Sequence, residues 1–265
     1  MARVELATGG FDALSATHFV QRFAPHFHET FAIGVVESGW ARLSTPRGEW
    51  NGGPGTILAF GPGEVHSADA ATLAGYTFRT VYPHADFMRG LGLSGPLTFE
   101  RPVIDDPLLA RTLRDAHAPL MRGASGRRSE TRLLDALRAL IRRYGSRDSS
   151  DSADTDERRI VRRAQALMRE CFSHQVTLPE IATLCGVSPF QLIRHFRRVL
   201  GVTPFAHLAQ FRVNRAQEML CTGAALSDVA YSCGFSDQSH MTRAFKQALG
   251  IPPGEYARSV SAARP

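Results

Sequence analysis

The strongest constraint on what this chain can fold into is a pattern written twice in its last third, roughly Leu178 to Tyr256. Ile181-Ala182 and Cys185-Gly186-Val187-Ser188 recur as Val229-Ala230 and Cys233-Gly234-Phe235-Ser236, at an offset of 48 residues. Arg194, Phe196, Gly201 and Pro204 recur as Arg243, Phe245, Gly250 and Pro253, at an offset of 49. Apolar, Gly, Arg and Pro positions that stay in register over such a span mark two copies of one structural unit. The offset changes once, after the Gly, so the second copy carries one extra residue in its turn.

Each copy reads as two short helices joined by a tight turn. Thr177 can cap a helix opening with Leu178-Pro179-Glu180, where proline is tolerated and glutamate suits the positive helix end. Gly186 supplies the left-handed turn. Ser188-Pro189 then opens a second helix that buries Leu192, Phe196 and Val199. In the second copy, Ser227 is expected to cap Asp228–Cys233 and Gly234 to make the turn. Ser236 or Asp237 then caps a helix burying Met241, Phe245 and Leu249. A long helix from Pro204 to Leu220, with Phe205, Leu208, Phe211, Val213, Ala216 and Leu220 in the core, joins the copies. Glu157 to Phe172 precedes them as a helix burying Ile160, Ala164, Leu167 and Met168. The unit is a helix-turn-helix.

Charge follows the same division. Residues 1–156 carry 17 Lys+Arg against 18 Asp+Glu, and residues 157–265 carry 14 against 7, so the net +6 of the chain belongs to the repeat region. A basic helical half points to a polyanionic partner. If both second helices face one way, they can enter successive major grooves of one DNA duplex. Their first turns and solvent sides offer Ser188, Phe190, Gln191, Ile193 and Arg194 in one copy, and Gln238, Ser239, His240, Thr242 and Arg243 in the other. Arginine can grip guanine, glutamine adenine, and apolar groups the thymine methyl. Arg197, Arg198 and Lys246 are better placed for phosphates.

These spaced positions resemble the AraC/XylS-type transcriptional regulators. Ile181-Ala182, Gly186-Val187-Ser188 and Leu192-Ile193-Arg194-His195-Phe196 match that family's first motif. Asp228-Val229-Ala230, Cys233-Gly234-Phe235, Phe245-Lys246, Gly250-Ile251-Pro252-Pro253 and Tyr256 match its second. The resemblance implies a bipartite, seven-helix DNA-binding domain that acts on transcription, and it favours activation through contact with RNA polymerase. Phe190 and the apolar Ile193 depart from common family choices, which bears on the operator sequence rather than on the activity.

Residues 15–82 read differently. Short β-branched or aromatic runs, such as Phe31–Val36 and Thr56–Phe60, alternate with Gly/Pro-rich turns, the signature of a small sandwich or barrel. Two amphipathic helices follow, Asp106–Met121 and Ser129–Tyr144. Their apolar stripe, including Leu133, Leu137, Leu140 and Ile141, covers either the subunit's own core or a second copy in a homodimer. The fold class expected is α+β: a cupin-like β-barrel with a helical appendage over 1–145, a flexible linker over 146–156, and an all-α domain with two helix-turn-helix units over 157–265. Gly145 to Asp156 is polar and Ser/Asp-rich, as a linker requires.

The barrel segment carries Pro25-His26-Phe27-His28-Glu29 and Pro62-Gly63-Glu64-Val65-His66. Strand alternation puts His26 and His28 on one face, where His66 can join them. This resembles the cupin-like effector domain found in many AraC-type proteins. Metal-binding cupins add a glutamate a few residues on, but here Ala32 and Ile33 hold those places, and Glu29 points to the opposite face. Three readings stay open for His26, His28 and His66: a metal-free pocket for a small-molecule effector, a Zn²⁺-like site of three imidazoles with an open position, or a structural cluster. His18 and His84 lack partners at a defined spacing and read as surface or turn residues.

Cys171, Cys185, Cys221 and Cys233 form no Cys-x-x-Cys pair and read as buried thiols without a metal or redox role. No apolar run approaches the roughly 20 residues that span a bilayer, and the first residues carry no secretory pattern, so the expected place is the cytoplasm. The expected activity is effector-controlled, sequence-specific regulation of transcription, without catalysis. A metal-binding cupin enzyme fused to a DNA-binding domain is the alternative.

Overall fold

The computed structural model describes residues 3–7, 11–20, 22–83, 97–121, 127–147 and 155–262. Its first half is built on antiparallel strands: β1 (Arg3–Ala7), β2 (Phe11–Phe19), β3 (Phe23–His26), β4 (Ala32–Ser38), β5 (Ala41–Thr45), β6 (Gly48–Gly52), β7 (Ile57–Phe60), β8 (His66–Ala70), β9 (Tyr76–Pro83), β10 (Leu97–Phe99), β11 (Val103–Ile104) and β12 (Gly145–Arg147). One sheet has the order β1-β2-β9-β4-β7-β11 and a second β3-β8-β5-β6.

Strand alternation gives the six-stranded sheet two apolar faces. Ala32, Val36, Leu58, Phe60, Tyr76 and Phe78 point inward and pack with Ala41, Leu43 and Ala68 of the smaller sheet. Ile33, Val35, Ile57, Ala59 and Val81 point outward, and that face needs a cover. Helices α1 (Pro107–Leu120) and α2 (Arg127–Tyr144) supply it through Leu109, Leu113, Leu133, Leu137 and Leu140. The apolar stripe read from the sequence is therefore buried inside the subunit, and those leucines do not call for a second copy. Asp106 ties the pair together. Its Oδ1 caps α1 by accepting from Leu109 N at 3.0 Å, and its Oδ2 accepts from Arg143 and Tyr144 of α2 at 2.8 and 3.0 Å.

The expected 146–156 linker is shorter at both described ends. Gly145–Arg147 form β12, paired with β10, and Thr155 accepts from Arg158 N to cap the next helix. Residues 148–154 lie outside the described set.

The second half is helical: α3 (Asp156–Cys171), α4 (Leu178–Leu184), α5 (Pro189–Leu200), α6 (Pro204–Cys221), α7 (Leu226–Ser232), α8 (Gln238–Leu249) and α9 (Pro253–Ala262). Two cores form, one per helix-turn-helix. Val161, Met168, Ile181, Leu192, Phe196 and Leu208 make the first, and Val213, Val229, Phe235, Met241, Phe245 and Tyr256 the second. Helix α6 contributes to both. The four cysteines are free; Cys185 and Cys233 are buried at the repeated position, while Cys171 and Cys221, expected buried, are only partly so.

Two expectations need correction here. Helix α7 starts earlier than expected, with Ala225 at its N-cap and no side-chain cap, so Ser227 lies inside it. Phe205 is half exposed rather than core, because α6 turns a different face inward.

His117 on α1 gives the barrel a pH dependence. It is buried with Nε2 3.1 Å from Leu14 O. Burial, reinforced by the Arg79 charge, pulls its pKa from 6.5 down to about 4. The folded state thus excludes a proton that the unfolded chain accepts below pH 6.5. The contribution is complete above that pH and is lost as pH falls toward 4, by up to about 3 kcal/mol. Urea unfolding of the full chain at pH 7 and pH 5 should show this loss, with a smaller loss in His117→Gln; equal losses in the two proteins would contradict the assignment.

Candidate DNA-reading surface and histidine cluster

The two second helices of the repeat, α5 and α8, begin with side-chain caps. Ser188 Oγ accepts from Gln191 N at 3.3 Å while Gln191 Oε1 accepts from Ser188 N at 2.9 Å, a reciprocal capping box. Asp237 Oδ1 accepts from His240 N at 2.7 Å. That hydrogen bond, with one from Ser236, holds the Asp237 carboxyl below the usual carboxylate range. The extra residue of the second copy falls at the helix cap, which moves from serine in α5 to the following aspartate in α8. Ser236, aligned by motif with Ser188, no longer caps, and its Oγ donates to Asp237 Oδ2 at 3.1 Å. Both helices end on a left-handed glycine, Gly201 and Gly250, at φ 74° and 76°.

The candidate readers divide by what already holds them. Arg194, Gln238, Ser239 and Arg243 are exposed, and Phe190 is 87% exposed, an unusual setting for a phenylalanine that has no ligand to meet. Arg197 and Lys246 are exposed one turn further on. Ser188 and Gln191 are engaged in the capping box. Ile193 is half-buried. His240 Nδ1 lies 3.1 Å from Ser236 Oγ, and Thr242 donates to Gln238 O at 2.8 Å. Arg198 donates to Glu157 at 2.9 Å.

The histidine cluster forms as the spacing required. His26 and His66 are directly opposite one another on β3 and β8. One ring nitrogen from each of His26, His28 and His66 lies within 4.8 Å of the other two. Ring centroids are 4.4 Å apart for His26–His66, 5.0 Å for His26–His28 and 5.4 Å for His28–His66. Phe60 stacks on His66 at 3.8 Å and Tyr82 sits 4.7 Å from His28. Burial lowers the pKa of all three, and for His28 and His66 well below 6.5, with mutual repulsion adding to the effect. Three neutral imidazoles thus converge at neutral pH. His18 lies at the exposed end of β2, and His84 is outside the described residues.

Sequence reading missed what lies behind the cluster. The residues between and beside the histidines face the helical half. Phe27 and Val65 are buried together with Val202 and Phe211. Phe27 stacks on His207 of α6 at 4.5 Å, and its carbonyl accepts from Asn214 at 3.4 Å. Arg215 of α6 pairs with Glu29 at 3.4 Å, while β3 also runs beside α8. The usable signal was the apolar residue within His26-Phe27-His28, since alternation sends it opposite to the histidines.

The geometry defines a class: a β-sandwich with a histidine cluster, docked on a domain with two helix-turn-helix units joined by one helix. Comparison with known proteins agrees. Residues 8–160 match the AraC-like ligand binding domain and residues 181–259 a helix-turn-helix domain. An uncharacterized HTH-type transcriptional regulator of Bacillus subtilis, YbfI, is 31% identical over 229 residues, covering 84% of this chain and 82% of its own length. A putative AraC-like transcription regulator of Streptomyces lividans is 34% identical, but over only 31% of this chain and 27% of its own. ToxT from Vibrio cholerae O395 has a similar fold, with a TM-score of 0.60 at 14% identity over 98% of each chain. The protein belongs to the AraC family of transcriptional regulators, with a ligand-binding domain followed by a helix-turn-helix DNA-binding domain. Among the described residues, no helix is long and apolar enough to cross a membrane.

The equivalent turn glycines, Gly186 and Gly234, share φ of 73° and 74° but differ in surroundings. A Cβ on Gly186 would meet open space, whereas one on Gly234 would overlap the Phe172 carbonyl oxygen. Gly186→Ala should therefore cost about 1–2 kcal/mol from conformation alone, and Gly234→Ala clearly more. Chemical denaturation of the two variants checks this, and equal costs would contradict it.

Proposed function

We propose that this regulator reads DNA through α5 and α8 placed in successive major grooves, which lie about 34 Å apart on one face of a duplex. The observation that carries this is the repeated, capped helix with an exposed arginine at the equivalent position, Arg194 and Arg243. Arg194, Arg243 and Gln238 take base edges, Phe190 a thymine methyl, and Ser239 a base edge or the adjacent sugar-phosphate. Arg197, Lys246 and the helix N-termini take phosphates. Ser188 and Gln191 act first as a cap, and Arg198 first as a partner of Glu157, so their substitution acts on fold as much as on DNA. Ile193, His240 and Thr242 support the reading surface from half-buried positions.

Signal enters at the barrel, and the protein works without catalysis as a cytoplasmic regulator. By family resemblance we assign it activation through contact with RNA polymerase. ToxT, which shares the fold, has been solved with an unsaturated fatty acid bound, which supports a small-molecule signal for a protein of this fold. In this chain the candidate point of entry is His26, His28 and His66.

The test is selection of bound sequences from random DNA by the full chain, followed by affinity measurements at fixed salt. Arg194→Ala and Arg243→Ala should each weaken binding by about 1–3 kcal/mol and relax one operator position. Lys246→Ala should weaken all sequences alike and lower the salt slope by about one. Equal affinity for selected and random DNA would point instead to non-specific, architectural binding.

A further inference from the structure

The two segments that carry the histidines are also the two barrel segments seated in the interdomain core. Phe27, between His26 and His28, stacks nearly parallel on His207 of α6, at an interplanar angle of 17°. Val65, next to His66, is buried beside it against Val202 and Phe211. Every histidine of the cluster therefore adjoins in sequence a residue packed against the DNA-binding domain.

We propose that His26, His28 and His66 bind one divalent cation of zinc-like preference, and that its binding resets how the barrel holds the DNA-binding domain. The proposal rests on the regulator reading above and names the ligand class of its input site.

The ring hydrogen bonds support a metal over a purely structural cluster. Nδ1 of His26 is 2.8 Å from Ala24 O and Nδ1 of His66 is 2.9 Å from Glu64 O. A carbonyl oxygen only accepts, so each Nδ1 carries the proton and each Nε2 keeps its lone pair. This is the outer-shell arrangement that orients metal-binding histidines. Phe60, flat against His66, fixes that ring further. Three imidazoles without a carboxylate suit zinc and its neighbours in the first transition row, not magnesium or calcium, which require oxygen donors. Three protein ligands leave a fourth position for water or a small anion.

The same geometry supplies the transmission. Nitrogens around tetrahedral zinc, with bonds of about 2.0–2.1 Å, sit about 3.4 Å apart. Donor atoms up to 4.8 Å apart must therefore close by up to about 1.4 Å. Closure draws β3 and its continuation toward β8. In a close-packed interior Phe27 and Val65 move with the backbone, and α6, which joins the two reading units, is what they press on.

The experiment uses the untagged full chain, stripped with a chelator. Zn²⁺ is titrated by calorimetry, and Co²⁺ is titrated while its visible absorption is followed. One equivalent should bind, with the intense absorption of a tetrahedral cobalt site, and excess Mg²⁺ or Ca²⁺ should not compete. His28→Ala, at the least buried member of the cluster, should weaken binding by at least about tenfold. Affinity for a selected operator is then compared with Zn²⁺ and with chelator, and should change by about fivefold or more. In Val65→Ala, which removes no ligand and only part of an apolar side chain, zinc binding should persist while the change in DNA affinity shrinks. No zinc binding, or binding unchanged by His28→Ala, overturns the metal site even if DNA is bound normally. Zinc binding that leaves operator affinity unchanged overturns the coupling. Absence of operator binding with and without zinc overturns the regulator reading, while the calorimetric result still decides the metal site.

Discussion

The architecture depends on one consequence of extended backbone: neighbouring side chains point to opposite faces. At His26-Phe27-His28 this puts two imidazoles on the barrel side and one phenyl ring on the helical side. Phe27, Val65, Val202 and Phe211 then form the small apolar core between the domains. Each such side chain contributes about 1.5–3 kcal/mol at most when buried. A patch of four can hold a preferred docking and still be shifted by a ligand with the usual 1–3 kcal/mol of coupling. Asn214 and Arg215 add polar contacts to Phe27 O and Glu29 at the rim of the same patch.

Helix α6 is the element on which both halves converge. It supplies Leu208 to the first helix-turn-helix core, Val213, Ala216 and Leu220 to the second, and Phe211 to the interdomain core. Little of its surface is left for water, and its buried residues include His207, Gln210, Arg212 and Asn214. Three of these polar groups are held: Gln210 donates to Asn214 at 2.9 Å, and Arg212 donates to the carbonyls of Phe172 and His174, both at 2.8 Å; His207 has Nε2 3.4 Å from Gln165 Nε2, while its Nδ1 meets no partner. A helix packed into all three of these cores can carry a displacement from the barrel to both reading helices.

What was legible in the sequence was local. The doubled motif, the caps at Thr177, Ser188 and Asp237, the turn glycines and the amphipathic helices over the barrel all follow from residues a few positions apart, and they appear where the periodicity placed them. Part of the histidine cluster was legible in the same way, because period-two alternation puts His26 and His28 on one face, whereas His66 reaches them through a long-range strand pairing with four strands in between. The failures have one physical origin. Phe205 reads as core by helical spacing, yet it is half exposed because α6 packs its other faces, through Leu208, Phe211, Val213, Ala216 and Leu220, into three separate cores. Asn214 meets Phe27 across 187 residues of sequence, and no local period encodes such a pairing. Ser227 reads as a cap, but the Leu226 side chain packs with the second core and the helix begins one residue before that serine.

The histidine cluster and the residues that dock the DNA-binding domain, Phe27 and Val65, lie on the same two stretches of backbone. Amide hydrogen exchange of the full chain, with and without one equivalent of Zn²⁺, tests their coupling most directly. Coupling through Phe27 and Val65 predicts altered exchange in segments 23–29 and 65–70 together with α6, while α1 and α2 on the far face of the larger sheet stay unchanged. Altered exchange confined to the histidine segments, with α6 indifferent to the metal, would contradict it.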